Sequence, residues 1–110
     1  MEILEQAVDG ALLVRLVGRL DSNTAAALEE MLPQRVQSEP AIVVDLGGVP
    51  YVSSAGLRVL LKSAKAAKAA GARLVLASLS ADVFEVFEIS GFTAIFTIHP
   101  TAEEGVAALA

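Results

Sequence analysis

The sequence predicts an α/β fold in which a mixed central β-sheet is covered by about four helices. Two apolar runs flank Asp9-Gly10 near the N-terminus, and this dipeptide favours a tight antiparallel hairpin because both residues tolerate positive φ. Strand patterns then alternate with helix patterns, so the later connections are crossovers between parallel strands. The length of 110 residues suits one domain spanning residues 1–110 around one core.

The first half of the chain is expected to form the hairpin, one helix and a central strand. The helix lies in "DSNTAAALEEMLPQRVQ", where short polar residues suited to an N-cap precede apolar residues at helical spacing. Pro33 is expected to kink this helix or to end it early, because proline lacks an N–H donor. The β-branched run "PAIVVDL" is typical of a strand buried on both faces, in the middle of the sheet.

The second half is expected to contain three helices and two strands in alternation. "SAGLRVLLKSAKAAKAAGA" carries apolar residues on one helical face and ends at a glycine that suits a helix C-terminus. The strand "RLVLAS" precedes the helix "LSADVFEVFEISGF", in which Ser80 suits the N-cap and Gly91 the end. "AIFTI" is predicted as the last strand, and "TAEEGVAAL" as a last helix with capping-box spacing.

Composition excludes several classes of protein. The absence of cysteine removes disulfides, thiol catalysis and the usual structural zinc sites, and it agrees with a reducing compartment. The net charge of −5 and the lack of a basic cluster with interleaved aromatics argue against nucleic acid as a partner. Charges interrupt every apolar run, and "MEILEQ" carries glutamates where a secretory signal would be basic. We therefore expect a cytoplasmic protein that does not insert into membranes.

Catalytic chemistry is not expected from the residues. Ser54 lies at a strand-turn-helix corner, but the nucleophile elbow of hydrolases needs a glycine two residues before the serine, where this chain has Val52. The only histidine, His99, is expected at the surface at the end of the last strand, and alone it holds no metal. Gly47-Gly48 lacks the rest of a phosphate-binding motif. Neither a cofactor nor a metal is expected, and a small serine hydrolase stays as the enzymatic rival.

The adjacent Ser53 and Ser54 allow two interpretations. One serine could cap the following helix while the other fills the loop. Alternatively, Ser54 begins the helix with an open hydroxyl that Ala55 and Gly56 leave uncovered. A phosphoryl group on Ser54 would carry about −1.5 to −2 charge and would lie at the positive end of the helix dipole. The residues alone leave both interpretations open.

Two segments resemble the signatures of a known family. "VVDLGGVPYVSSAGLRVLL" looks like the strand, loop and helix of STAS domains, and "LVGRLDSNTA" looks like their earlier G-x-L-D segment. Within this family the sequence is most similar to the bacterial anti-sigma factor antagonists. The order of the predicted elements agrees with the family over nearly the whole chain, so the resemblance also implies a STAS-like fold.

The resemblance implies a regulator in a partner-switching pathway. In that family the unphosphorylated antagonist binds an anti-sigma factor serine kinase, the kinase phosphorylates it, and a PP2C-type phosphatase restores it. The phosphoacceptor position falls on Ser54, and the aspartate near the acceptor falls on Asp21. The residues then expected to contact the partner are Asp21, Ser53, Ala55, Gly56 and Arg58. The protein is expected to be a monomer or weak dimer.

The chain departs from the family pattern around Ser54. Many members have aspartate in place of Ser53 and a hydroxyl residue in place of Ala55. A basic stripe of Arg58, Lys62 and Lys65 could meet an acidic partner or could simply be a solvated helix face. The alternative function is a STAS scaffold subunit of a lipid transporter or of a stressosome-like assembly, without a phosphorylation switch.

Overall fold

The computed structural model describes residues 1–110 and contains a five-stranded mixed sheet with four α-helices. The strands follow one another across the sheet in chain order; the first pair is antiparallel and all later pairs are parallel. This arrangement confirms the predicted fold class. The strands are β1 (Glu2–Val8), β2 (Ala11–Val17), β3 (Ala41–Gly48), β4 (Arg73–Ala77) and β5 (Ile98–His99). The helices are α1 (Ala25–Ser38), α2 (Ser54–Ala70), α3 (Ala81–Ile89) and α4 (Ala102–Leu109).

The central strand β3 separates two apolar layers. Its residues 41–46 are all buried, and alternate side chains point to opposite faces of the sheet. Ile42 and Val44 join the larger cluster, which includes residues of α1, α2 and α3. Val43 joins the smaller cluster with Val106 of α4. The expectation that this strand is buried on both faces is confirmed.

The turn and cap signals of the sequence are confirmed at several positions. The hairpin turn has positive φ at Asp9 (49°) and Gly10 (83°), as the predicted turn requires. The Ser80 and Thr101 hydroxyls each accept a hydrogen bond from the N–H three residues later, at 3.2 and 3.1 Å. Gly71 ends α2 in the left-handed conformation, with φ 73°.

Of the two outcomes predicted for Pro33, a kink or an early end of the first helix, the early end is wrong. Helix α1 continues for a further turn to Ser38, with the fully buried Leu32 and the almost fully buried Val36 on either side of the proline. Each such side chain contributes about 1.5–3 kcal/mol on burial, which offsets the roughly 3 kcal/mol that an interior proline costs. Arg35 also ties this last turn to β1 through its Nε–H, which donates to Glu5 Oε1 at 2.6 Å.

The predicted last strand "AIFTI" is largely wrong. Residues 92–94 form a 3₁₀ turn, and the Phe96 N–H donates to the Phe92 carbonyl at 3.0 Å. The rings of Phe87, Phe92 and Phe96 pack with centroids 5.8–6.2 Å apart. This aromatic cluster bends the chain away from the sheet, so that β5 contains only two residues.

His99 ends the last strand as expected, but it is not the surface residue that the sequence predicts. The side chain is partly buried, and its Nε2 is shielded from solvent without a hydrogen-bond partner.

Among the four helices, none combines the length and the apolar character that crossing a bilayer demands.

Candidate functional site

The two serines between β3 and α2 have different structural roles. Ser53 is the N-cap of α2, with extended backbone (φ −84°, ψ 172°), and its Oγ accepts the Gly56 N–H at 3.3 Å. Its carbonyl accepts the Leu57 N–H at 2.9 Å. Ser54 is the first helical residue and is exposed. Ser53 therefore uses its side chain to cap the helix, whereas Ser54 is exposed to solvent.

The segment "GRLD" lies directly beside this junction. Leu20 and Val52 form an isolated parallel bridge. The Leu20 N–H donates to the Tyr51 carbonyl at 2.9 Å, and the Ser53 N–H donates to the Leu20 carbonyl at 2.8 Å. Asp21 follows Leu20 directly, so the structure brings Asp21 and the serine pair to the same corner of the sheet.

The Asp21 carboxylate is held in a fixed position by the turn that leads into α1. Its Oδ1 accepts the N–H groups of Asn23 at 3.0 Å and Thr24 at 3.1 Å. Desolvation acts to raise the pKa of Asp21, but these hydrogen bonds, a further one from the Thr24 hydroxyl and the charge of Arg19 together hold that pKa below its ordinary value. Asp21 therefore places a stable negative charge at this corner at neutral pH.

Gly56 allows the first turn of α2 to approach the Leu20 segment. The glycine is buried. A Cβ at this position would lie 2.6 Å from Leu20 Cγ and 3.0 Å from the Leu20 carbonyl oxygen. Gly56 thus faces the interior and affects the site through helix position, whereas Ala55 is partly buried and Arg58 is exposed.

The start of α2 is electrostatically open to an anion. Its first turn contains no acidic residue, as is also true of α1, whereas the first turn of α3 contains Asp82 and that of α4 contains Glu103 and Glu104. The first N–H groups of a helix lack internal acceptors and carry the positive end of its dipole. Negative charge added to the Ser54 side chain would therefore lie where backbone N–H groups favour it.

Sequence reasoning did not identify two residues at this corner. The Arg19 guanidinium carbon lies 4.2 Å from the centroid of the Tyr51 ring, a cation–π geometry, and both residues are exposed. Their positions inside the two signature segments were the only signal in the sequence. The residues of the basic stripe are exposed as well, and Lys62 Nζ lies 3.7 Å from Glu29 Oε1 of α1.

Comparison with known proteins identifies the family to which this chain belongs. The family model described as the STAS domain matches residues 2–105, so the chain belongs to the STAS family. BtrV of Bordetella bronchiseptica, whose name carries a proposed anti-sigma factor antagonist role, is 42% identical over 109 residues, covering 98% of this chain and 94% of that protein. The anti-sigma-B factor antagonist of Bacillus subtilis is 31% identical over 93 residues, covering 84% and 85%.

Solved structures agree with this assignment at the level of the fold. The phosphorylated form of SpoIIAA, a Bacillus cell fate determinant, superposes with a TM-score of 0.77 at 19% identity. The match covers 99% of this chain and 100% of that one. The likeness therefore extends over the whole mixed sheet and its helices.

Proposed function

We propose that this protein is an anti-sigma factor antagonist that binds an anti-sigma factor serine kinase while Ser54 is unmodified and dissociates once Ser54 is phosphorylated. The antagonist names of two relatives, BtrV and the Bacillus subtilis protein, support the class. The observation that carries the proposal is the exposed Ser54 side chain at the acid-free start of α2. In this proposal the chain is a phosphorylated regulator and not an enzyme.

The modification is a phosphoryl transfer in which the kinase supplies the catalytic groups. The Ser54 Oγ attacks the γ-phosphorus of ATP, its proton passes to a base of the kinase, and ADP leaves. A PP2C-type phosphatase then hydrolyses the ester and returns the serine and inorganic phosphate. Both enzymes need access to Oγ, and the exposure of Ser54 provides it without local unfolding.

The charge change explains why phosphorylation would act on the partner rather than on the fold. A neutral hydroxyl becomes a group of about −1.5 to −2 charge, which the N–H groups at the start of α2 accommodate. A partner surface packed on this corner would have to desolvate that charge, at a cost of several kcal/mol or so unless it supplied a cation. The fixed carboxylate of Asp21 on the same corner makes the local field more negative.

The contact surface in this proposal surrounds the acceptor. Asp21, Ser53, Ala55 and Arg58 reach the surface at least in part, and they would meet the kinase around Ser54. The buried Gly56 would contribute by setting how closely α2 approaches Leu20. Ser53 in place of the aspartate of many relatives leaves the position before the acceptor uncharged, so recognition there would use hydrogen bonds.

Phosphorylation of purified protein tests the proposal. The chain is mixed with its cognate kinase and ATP, and the products are measured by intact-mass spectrometry. We expect one added phosphate on the wild type and none on Ser54→Ala. Ser53→Ala is the matched control, since it removes the neighbouring hydroxyl and should still accept one phosphate. Modification of Ser54→Ala would contradict the proposal, and stable kinase binding without any phosphate would favour the scaffold alternative.

A further inference from the structure

A groove of about 800 Å³ lies beside the second half of α2, away from Ser54 at the first turn of that helix. It follows the start of β4, between the C-terminal halves of α2 and α4, and the loop at residues 94–97 closes one end. This is where the sequence predicts a longer last strand. The groove exists because the aromatic cluster bends that segment away from the sheet.

The floor of the groove is an open strand edge. Leu76 donates its N–H to the Thr97 carbonyl at 3.0 Å, and Ser78 donates to the His99 carbonyl at 3.1 Å. Residues two apart in a strand direct their backbone groups to the same side. Leu74 therefore directs its N–H and carbonyl into the groove, beyond the point where β5 begins. An additional chain could pair with β4 there at Leu74 alone, because Leu76 and Ser78 are already bonded to the last strand.

The walls of the groove suit an extended chain. Leu61 and Ala64 of α2 line one side of the open edge, and Ala108 and Leu109 of α4 line the other. Because these helices cover opposite faces of the sheet, the space between them is one strand layer. A strand placed in this layer would direct one set of alternate side chains to Ala108 and Leu109 of α4 and the other set to the side of α2 that carries Lys65 and Lys68.

The charge at the groove favours an acidic occupant. Lys65 and Lys68 line it, together with Arg73, whose guanidinium already donates to the Leu109 carbonyl, and none of its sixteen lining residues is a carboxylate. The groove therefore has a local excess of positive charge, although the whole chain has a net charge of −5. Acidic side chains on the bound strand would be attracted to these cations, whereas a basic peptide would be repelled.

We propose that the groove binds an extended peptide segment of a partner protein, with alternating apolar and acidic residues, as an added strand beside β4. Main-chain hydrogen bonds to Leu74 would supply affinity, and the basic rim would select acidic sequences. Lys65 and Lys68 lie about 17–21 Å from Ser54 along the axis of α2. This second site goes beyond the proposed phosphorylation switch and should be independent of it.

The probe is a fluorescein-labelled peptide of about seven alternating valine and glutamate residues, a common strand length. Fluorescence anisotropy should show saturable binding that weakens at least about tenfold in the double variant Lys65→Glu/Lys68→Glu. The matched control for probe binding is Lys62→Glu/Arg58→Glu, which makes the same charge change on the same helix outside the groove lining. It is used for the probe alone, since Arg58 belongs to the proposed kinase surface and Lys62 lies near Glu29. A probe with N-methylated amides should lose binding, since it cannot pair with β4. Ser54→Asp should bind the probe as the wild type does.

Amide NMR locates the bound probe. The Leu74 N–H signal should shift and its hydrogen exchange should slow, while the amides around Ser54 stay unchanged. Equal binding of the N-methylated probe, equal loss in both double variants, or no saturation by about 1 mM would overturn the proposal. It would also be overturned if Leu74 were already protected in the free protein, either by residues 94–97 or by a second copy that sedimentation detects.

Discussion

At the β3–α2 junction, two neighbouring serines perform separate tasks. Ser53 caps the helix through Oγ, and Ser54 leaves its side chain in solvent. The sequence could predict a cap here, because a helix start needs a short polar acceptor. The cation–π pair of Arg19 and Tyr51 could not be predicted, since it depends on the bridge that joins Leu20 to Val52 across the chain.

The division of tasks predicts different stability effects for the two serines. Ser53→Ala should lower the free energy of unfolding by about 1 kcal/mol, because the Gly56 N–H loses its acceptor. Ser54→Ala should change the free energy of unfolding by less than about 0.5 kcal/mol, as expected for an exposed residue. Urea unfolding measures both values, and equal losses in the two variants would contradict the assignment of Ser53 as the cap.

Gly56 gives a second prediction about a single residue, in which helix propensity and the close contact with Leu20 have opposite effects on stability. Helix propensity alone would make Gly56→Ala stabilising by about 1 kcal/mol. The close approach to Leu20 should instead make the variant destabilising by about 1–3 kcal/mol, because the added methyl overpacks the contact. Thermal and urea unfolding measure the sign, and a stabilised variant would show that α2 does not pack this closely on the Leu20 segment.

The elements that sequence reasoning placed correctly are those whose local and tertiary preferences agree. The hairpin, the central strand and the helix ends marked by Ser80 and Thr101 are of this kind. The two errors in assigning helices and strands occur where packing overrides local preference. Helix α1 passes through Pro33 because apolar burial on both sides favours it, and residues 94–97 leave the strand because three phenylalanines pack together.

The dipole of helix α2 gives a prediction about the effect of added charge on stability. Its first turn has no acidic residue, so the helix dipole should make Ser54→Asp raise the free energy of unfolding by about 0.3–1 kcal/mol and Ser54→Lys lower it by a similar amount. The nearby Asp21 carboxylate acts against both changes, which places them at the lower end of this range. The difference should shrink in about 1 M salt, which screens exposed charges. Urea unfolding at low and high salt measures it, and a destabilising aspartate would contradict an anion-compatible helix start.

At the scale of the whole molecule, the fold separates two surfaces. The proposed switch lies where β3 ends and α2 begins, and the groove lies where α2 ends and β4 begins. Helix α2 spans this distance and contributes buried residues to the main core along its length. We therefore expect a charge added at Ser54 to change one surface while the sheet and the groove keep their structure.

The most direct test of the central claim is a calorimetric titration of the cognate kinase with Ser54→Asp and with Ser54→Asn. The two side chains have nearly the same size and differ by one charge. The aspartate should weaken binding by at least about tenfold and the asparagine by less than about threefold, with unchanged circular dichroism in both variants. Equal affinities for the two variants would contradict the claim that charge at Ser54, presented at the start of α2, controls docking.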